Sequence, residues 1–174
     1  MGLAPSNAAI RAAQAAAGTL AFAALAAAGQ GFGRWEGPVR HCTMTANGRT
    51  HRCLELELEQ NQEGLLTARF VGPGQGGPLA SRELAFSGLL GAGQQPMRCG
   101  ADGRCLPPDH PLQLRLTSVA WSRFDGRGLA EELPLARLAR GQCLLDRQTI
   151  RCNARLEPPQ PNAAPWSAEA RLRP

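Results

Sequence analysis

Six cysteines divide this chain of 174 residues into three local pairs, and each pair encloses its own turn signal. Asn-Gly lies midway between the first two cysteines, Asp-Gly lies inside the second pair, and Asp-Arg-Gln-Thr lies inside the third. Asn-Gly and Asp-Gly accept positive φ and are strong hairpin signals. A turn at the midpoint of a hairpin places the flanking cysteines directly across from each other. The sequence therefore predicts three disulfide-stapled hairpins, Cys42–Cys53, Cys99–Cys105 and Cys143–Cys152.

The three turns are expected to differ in length. A four-residue loop over 46–49 would place Cys42 and Cys53 in a non-hydrogen-bonded pair, whose Cβ atoms lie closer together, and we expect that loop. The middle hairpin fits a three-residue loop with Gly103 in the left-handed region. The side chain of Asp146 is expected to stabilise the third turn.

Two other uses of the cysteines are reduced, buried thiols and a zinc site. His41, His51 and His110 lie near cysteines, but no spacing is C-x2-C, and the pairs are symmetric about turns. The sequence therefore predicts no metal site. Paired cysteines are typical of proteins in oxidising compartments.

The first 28 residues have the composition of an export signal. They contain no acid, one base (Arg11), an Ala-rich apolar run and a final Ala-Ala-Ala-Gly that signal peptidase would accept. The alternatives are an uncleaved anchor and an Ala-rich surface helix. We predict a signal peptide over 1–28 and a β domain over 29–174, with no stable membrane span after cleavage. The expected location is periplasmic or extracellular.

Alternating Leu and polar residues predict most of the strands. The clearest run is Leu54 to Glu59, with Leu on one face and Glu on the other. A helical candidate at 129–140 is interrupted by Pro134, so we expect one short turn of helix or an irregular connection. The prediction is an all-β fold, an antiparallel β-sandwich or open barrel of about eight short strands. Further runs are 65–71, 82–90, 112–121 and 166–172.

The charge pattern argues against a nucleic-acid partner. The formal net charge is +5 and every basic residue is Arg, but acids are interleaved with the arginines and no basic block is present. The carboxylates of Glu55, Glu57 and Glu59 are expected to be solvated, not to form a catalytic pair.

Candidate catalytic groups are few and have no local frame. Ser118 or Ser122 could combine with His110 and either Asp109 or Asp125, but no Gly-x-Ser-x-Gly elbow positions them. No glycine-rich phosphate loop with its Lys is present either. We therefore predict no catalytic residue and no cofactor, with a secreted hydrolase as one alternative.

Two loops could bind a partner. Arg123, Phe124 and Arg127 form a turn-rich segment suited to an anionic glycan or an envelope protein, or they form an ordinary connection whose Phe packs on the core. The Cys99–Cys105 loop carries Arg104 and faintly suggests a protease inhibitor, because a rigid loop loses little entropy on binding. The expected function is an exported, non-enzymatic binding or structural module.

Overall fold

The computed structural model describes residues 32–62, 64–159 and 164–173. The export signal predicted over 1–28 lies outside these residues, so this prediction stays a prediction. Within the described ranges, no helix has the length and apolar character needed to cross a membrane. The described chain forms eight strands: β1 Gly33–Ala46, β2 Arg49–Gln62, β3 Leu65–Pro73, β4 Ser81–Leu90, β5 Leu112–Phe124, β6 Leu135–Leu145, β7 Thr149–Leu156 and β8 Trp166–Leu172.

The eight strands close into an antiparallel barrel in which each strand pairs with the next and β8 pairs with β1. The predicted all-β fold and the number of strands are confirmed. The sequence predicted either a sandwich or an open barrel, and the structure shows a barrel whose sheet closes completely. Closure joins Val39 to Leu172 and Thr45 to Ser167, so neither terminal strand leaves a free edge.

The segment 129–140, predicted as one short turn of helix or an irregular connection, is half irregular and half strand. Residues 129–134 are irregular, which fits the alternative of an irregular connection, but β6 begins at Leu135 and continues through the rest of the candidate. Pairing with β5 on one side and β7 on the other stabilises the extended chain. Tertiary pairing therefore outweighs the helix preference of Leu, Ala and Arg in this segment.

The three predicted disulfides all form. The first turn is shorter than expected, because Ala46 pairs with Arg49 and only Asn47 and Gly48 lie between them. Both have positive φ, 50° and 72°, as a type I′ turn requires. The expected four-residue loop is wrong, because Cys42 and Cys53 form their disulfide, with a Cα–Cα distance of 4.9 Å, in the register that the two-residue turn sets.

The other two hairpins follow the predicted geometry. Gly103 has a φ of 75° at the end of a three-residue loop, and Gly100 N–H donates to the Arg104 carbonyl across it. In the third hairpin, Asp146 Oδ1 accepts hydrogen bonds from the backbone N–H groups of Gln148 and Thr149 at 2.8 and 2.7 Å. The same bonds lower the pKa of Asp146. The carboxylate therefore stabilises the turn as predicted.

The interior of the barrel is filled by side chains from alternate positions of the strands. Phe70 and Phe86 meet edge to face with ring centroids 5.9 Å apart, and both are fully buried. One end is closed by the connection between β4 and β5: Met97 is buried there, and its backbone N–H donates to the buried Gln60 side chain at 2.8 Å. We call this end the capped end. The opposite end, where the β1–β2, β3–β4, β5–β6 and β7–β8 connections lie, is called the open end.

The outer face of β2 differs from the predicted alternation at two residues, Leu54 and Glu57. Leu54 is 47% exposed, because the register shift on β1 changes the phase at Cys53. Glu57, expected to be solvated, is buried under two arginines: Arg34 donates to Oε1 at 2.7 Å and Arg69 donates to Oε2 at 2.6 Å. The hydrogen bond with Glu57 raises the pKa of Arg34. Periodicity assigned the carboxylate to the outer face correctly but did not reveal that neighbouring strands would cover it.

Candidate functional site: an arginine-lined cleft at the open end

Strand alternation aims several charged side chains into the barrel at its open end. On β4, Arg82 is in phase with the buried Leu84, and it pairs across the sheet with Arg123 of β5. Arg123 shares its face with Trp121, which pairs with Leu84. Residues two apart on a strand face the same side, so all three side chains point toward the interior. The last inward positions of these strands are therefore cationic or aromatic rather than aliphatic.

The neighbouring strands add further arginines. Arg137 of β6 pairs with the buried Val119, which places it on the inner face. Arg49 and His51 of β2 are four and two residues before the buried Cys53 and so lie on the same face of the strand. Four arginines from four different strands thus surround the open end.

These side chains line a cleft with two lobes, here called the mouth cleft. The larger lobe has a volume of about 540 Å³ and is bordered by Arg49, His51, Arg82, Trp121 and Arg123. The smaller lobe, of about 140 Å³, shares Trp121 and Arg123 and adds Arg137 and Trp166. The larger lobe lies within the size range of small-molecule sites, about 300–1,000 Å³.

His51 connects an arginine to an aromatic ring. Its Nδ1 lies 2.7 Å from Arg82 Nη1, and its ring lies 5.3 Å from the ring of Trp121, centroid to centroid, at an interplanar angle of 31°. A guanidinium can only donate, so Nδ1 is the acceptor and the proton of the neutral ring is on Nε2. Burial lowers the pKa of His51, and the charges of Arg82 and Arg49 lower it further. His51 is therefore neutral at pH 7 and fixes the position of Arg82.

The acids near the cleft come from the β5–β6 connection. Arg123 is bonded to Glu132 at 2.6 Å and to Glu131 at 3.3 Å. Within the described part of the chain, no ion pair involves Arg49, Arg82 or Arg137. The mouth cleft thus has an excess of positive charge.

The segment predicted as a binding loop contributes one residue to this cleft. Arg123 lines it, whereas Phe124 is half-buried as the last residue of β5 and bridges to Ala130. Arg127 instead binds the side chain of Asp125 at 2.9 Å. Asp125 also accepts the backbone N–H groups of Arg127 and Leu129, and these bonds lower its pKa. The loop is therefore a well-bonded turn whose second arginine is occupied within it.

The residues considered for a Ser–His–Asp site are spread along β5. His110 contacts Asp109 at 2.7 Å just before β5 begins, at the capped end. Ser122 is ten residues after Leu112, near the other end of β5, which at about 3.3 Å per residue is roughly 33 Å along the strand. Asp125 follows Ser122 at the open end, and Ser118 pairs with Ser87 in mid-strand. The fold therefore brings together only the His and the Asp that are adjacent in sequence.

The Cys99–Cys105 loop lies against β1. Gly103 carbonyl accepts from Arg34 N–H at 2.8 Å, and Cys105 N–H donates to Arg34 carbonyl at 2.9 Å. The Arg104 side chain is 90% exposed, but its carbonyl and its N–H are bonded to Gly100 and to the side chain of Asp102. The backbone N–H and carbonyl of Arg104 are therefore not available for the hydrogen bonds that a protease forms with the backbone of a substrate.

Sequence reasoning did not single out Arg49, Arg82 and Arg137 as site residues. A signal was present, because Arg82 follows the alternation of Leu84 and Phe86 and so occupies an inward position. A charge in phase with core residues at the end of a strand is the pattern to look for. The described residues contain no cluster of three or more His, Cys, Asp or Glu side chains that could hold a metal ion.

Comparison of the chain with protein-family models, with curated proteins and with solved structures found no match. The geometry of the cleft is therefore the basis for any statement about function.

Proposed function

We propose that this protein is an exported, non-enzymatic binding protein that holds a small anionic ligand in the mouth cleft. The observation that carries the proposal is the pair Arg82 and Arg123, which lie directly opposite each other on neighbouring strands and both face inward. Like charges in opposite positions destabilise a sheet. The fold does not need this pair, whereas an anion between the guanidinium groups would compensate for their repulsion.

A second groove is also bordered by arginines. It lies on the outer wall between β6 and β7, has a volume of about 550 Å³, and is bordered by Arg140, Arg155 and the small residues Gly141 and Ala154. Arg140 is already in contact with Glu157, and none of the described residues that border the groove is aromatic. The mouth cleft combines more free cations with aromatic surface and is the better candidate.

Export is supported by the three disulfides, since such bonds persist in oxidising compartments such as the periplasm or the extracellular space. The predicted signal over 1–28 supports the same location from the sequence. The intact mass of protein isolated from its host, with and without alkylation, tests both points. We expect a mass lowered by removal of the first 28 residues and no alkylated thiol; a full-length or alkylated product would contradict export or oxidation respectively.

Anion binding is tested by calorimetric titration with inorganic phosphate at low ionic strength. Arg82→Gln is expected to weaken binding at least tenfold, because it removes the guanidinium fixed by His51. The matched control is Arg115→Gln, which removes the same charge from an exposed position of β5. Equal affinities in both variants, or no binding to the parent protein, would contradict the proposal.

The alternative of a secreted hydrolase is tested with His110→Ala beside the parent on ester, glycoside and peptide substrates. We expect no turnover in either protein. Turnover that is lost in the variant would favour the enzyme and would identify His110 as part of its site.

A further inference from the structure

The mouth cleft contains a flat surface as well as positive charge. Trp121 borders both lobes and is half-buried, so part of its ring faces the space between the arginines. The neighbouring His51 ring supports it at 5.3 Å. A second tryptophan, Trp166, borders the smaller lobe but is only 3% exposed, so it forms a wall that offers little surface. Trp121 is thus the ring available to a ligand.

One of the cations that border the larger lobe with this ring, Arg82, is held in place. Arg82 donates to His51, and His51 packs on Trp121, so the guanidinium and the indole are joined through one side chain. A guanidinium fixed in this way loses little freedom when it binds an oxyanion, and its planar fork suits a phosphate, sulfate or carboxylate. Arg49 borders the same lobe and has no acid partner among the described residues.

The third arginine of the larger lobe, Arg123, is already partly neutralised, because it is bonded to Glu131 and Glu132. Glu132 is the only acidic residue that borders the cleft in the described chain. The unneutralised charge of the larger lobe therefore lies on Arg49 and Arg82, and His51 links Arg82 to the indole. This juxtaposition restricts the ligand: its charged group and its flat part must be close neighbours in one molecule.

We infer that the ligand is an aryl or heteroaryl oxyanion, whose ring stacks on Trp121 while its phosphate, sulfate or carboxylate is bound by Arg82 and Arg49. The inference rests on the proposed function, since it names the class of anion that the same cleft takes. Stacking of a ring on an aromatic side chain corresponds to about a 5- to 150-fold gain in affinity. The larger lobe, about 540 Å³, has room for a fused ring with one charged substituent.

Three probes separate the contributions of ring and charge: inorganic phosphate, 1-naphthyl phosphate and 1-naphthol, titrated at pH 7 and low ionic strength. We expect 1-naphthyl phosphate to bind at least tenfold more tightly than either of the others. Trp121→Leu should lower the affinity for naphthyl phosphate by a larger factor than the affinity for phosphate. Arg82→Gln should weaken both anions, and the outer-wall variant Arg115→Gln should change neither.

An NMR titration of the parent protein gives a readout that does not depend on the folding of a variant. The indole N–H signal of Trp121 should shift on addition of naphthyl phosphate, while that of Trp35 serves as a reference, because it lies toward the capped end, where it pairs with Leu58. Equal affinity for phosphate and naphthyl phosphate, or an unshifted Trp121 signal, overturns the inference and leaves anion binding intact. Naphthol binding as tightly as naphthyl phosphate also overturns it. Failure of every anion to bind overturns the proposed function itself.

Discussion

Replacement of Glu57 by Gln tests whether the outer wall of the barrel is stabilised by a covered carboxylate. The Glu57 side chain is 12% exposed and accepts one hydrogen bond from Arg34 and one from Arg69. A fully exposed pair contributes about 0–1 kcal/mol, and the loss of one partner from a fully buried pair costs about 3–5 kcal/mol. Arg34 is 57% and Arg69 is 29% exposed, so both can regain water in the variant. We therefore expect an intermediate loss of about 2 kcal/mol in the free energy of unfolding.

The assay is thermal unfolding beside the matched variant Glu55→Gln, which removes the same charge from an exposed position of the same face of β2. An unfolding entropy of about 2.1 cal/mol/K per residue over roughly 140 residues converts 2 kcal/mol into a fall in Tm of about 7 °C. Glu55→Gln should change Tm by less than about 2 °C, as expected for a surface substitution. If the two variants unfold at the same temperature, the carboxylate of Glu57 is not the stabilising group and the reasoning fails.

Three further predictions concern the disulfides, the cleft and the exposed loop. Replacement of Cys143 and Cys152 by Ala should lower the free energy of unfolding by about 2.6 kcal/mol, the loop entropy for a sequence separation of 9. The loss should be at least this large, because both cysteines are also fully buried. A loss below about 1 kcal/mol in urea unfolding would contradict this prediction. Stability should fall as the pH drops below 6.5, because burial lowers the pKa of His51 and the unfolded chain then binds a proton that the folded protein does not. His51→Gln should flatten this part of the curve of stability against pH. An unchanged slope would refute the assignment to His51. The parent protein and Arg104→Ala should leave trypsin equally active, because the backbone at Arg104 is occupied; inhibition by the parent alone would revive the inhibitor alternative.

Local patterns in the sequence were sufficient for the hairpins. Asn47-Gly48 and Gly103 adopt positive φ wherever the chain must reverse within two or three residues, and the cysteines at matched distances from each turn then meet. The register of the third hairpin followed from the same symmetry, with Cys143 opposite Cys152. The length of the first turn was predicted wrongly, since the argument from Cβ distances required a non-hydrogen-bonded pair, whereas Cys42 and Cys53 are joined in the register of a two-residue turn.

The burial of side chains on the outer face also depends on residues from other strands. Alternation placed Glu57 on the outer face, but its burial requires Arg34 from β1 and Arg69 from β3. Similarly, the helix preference of 135–140 was a local property that the pairing with β5 and β7 overrode. In both cases the deciding contacts come from elements that a window of local sequence does not contain.

The sequence by itself determined most of the strands, the centres of the three hairpins and which cysteines pair, because turn residues, alternation and short crosslinks act within about ten residues. Only the tertiary structure decided that the sheet closes, through the pairing of β8 with β1. The closed barrel has two ends, and successive connections between strands lie at opposite ends. Arg82, Arg123 and Arg137 come from the consecutive strands β4, β5 and β6, and Arg49 of β2 lies at the same opening because the closed barrel curves these strand ends around it.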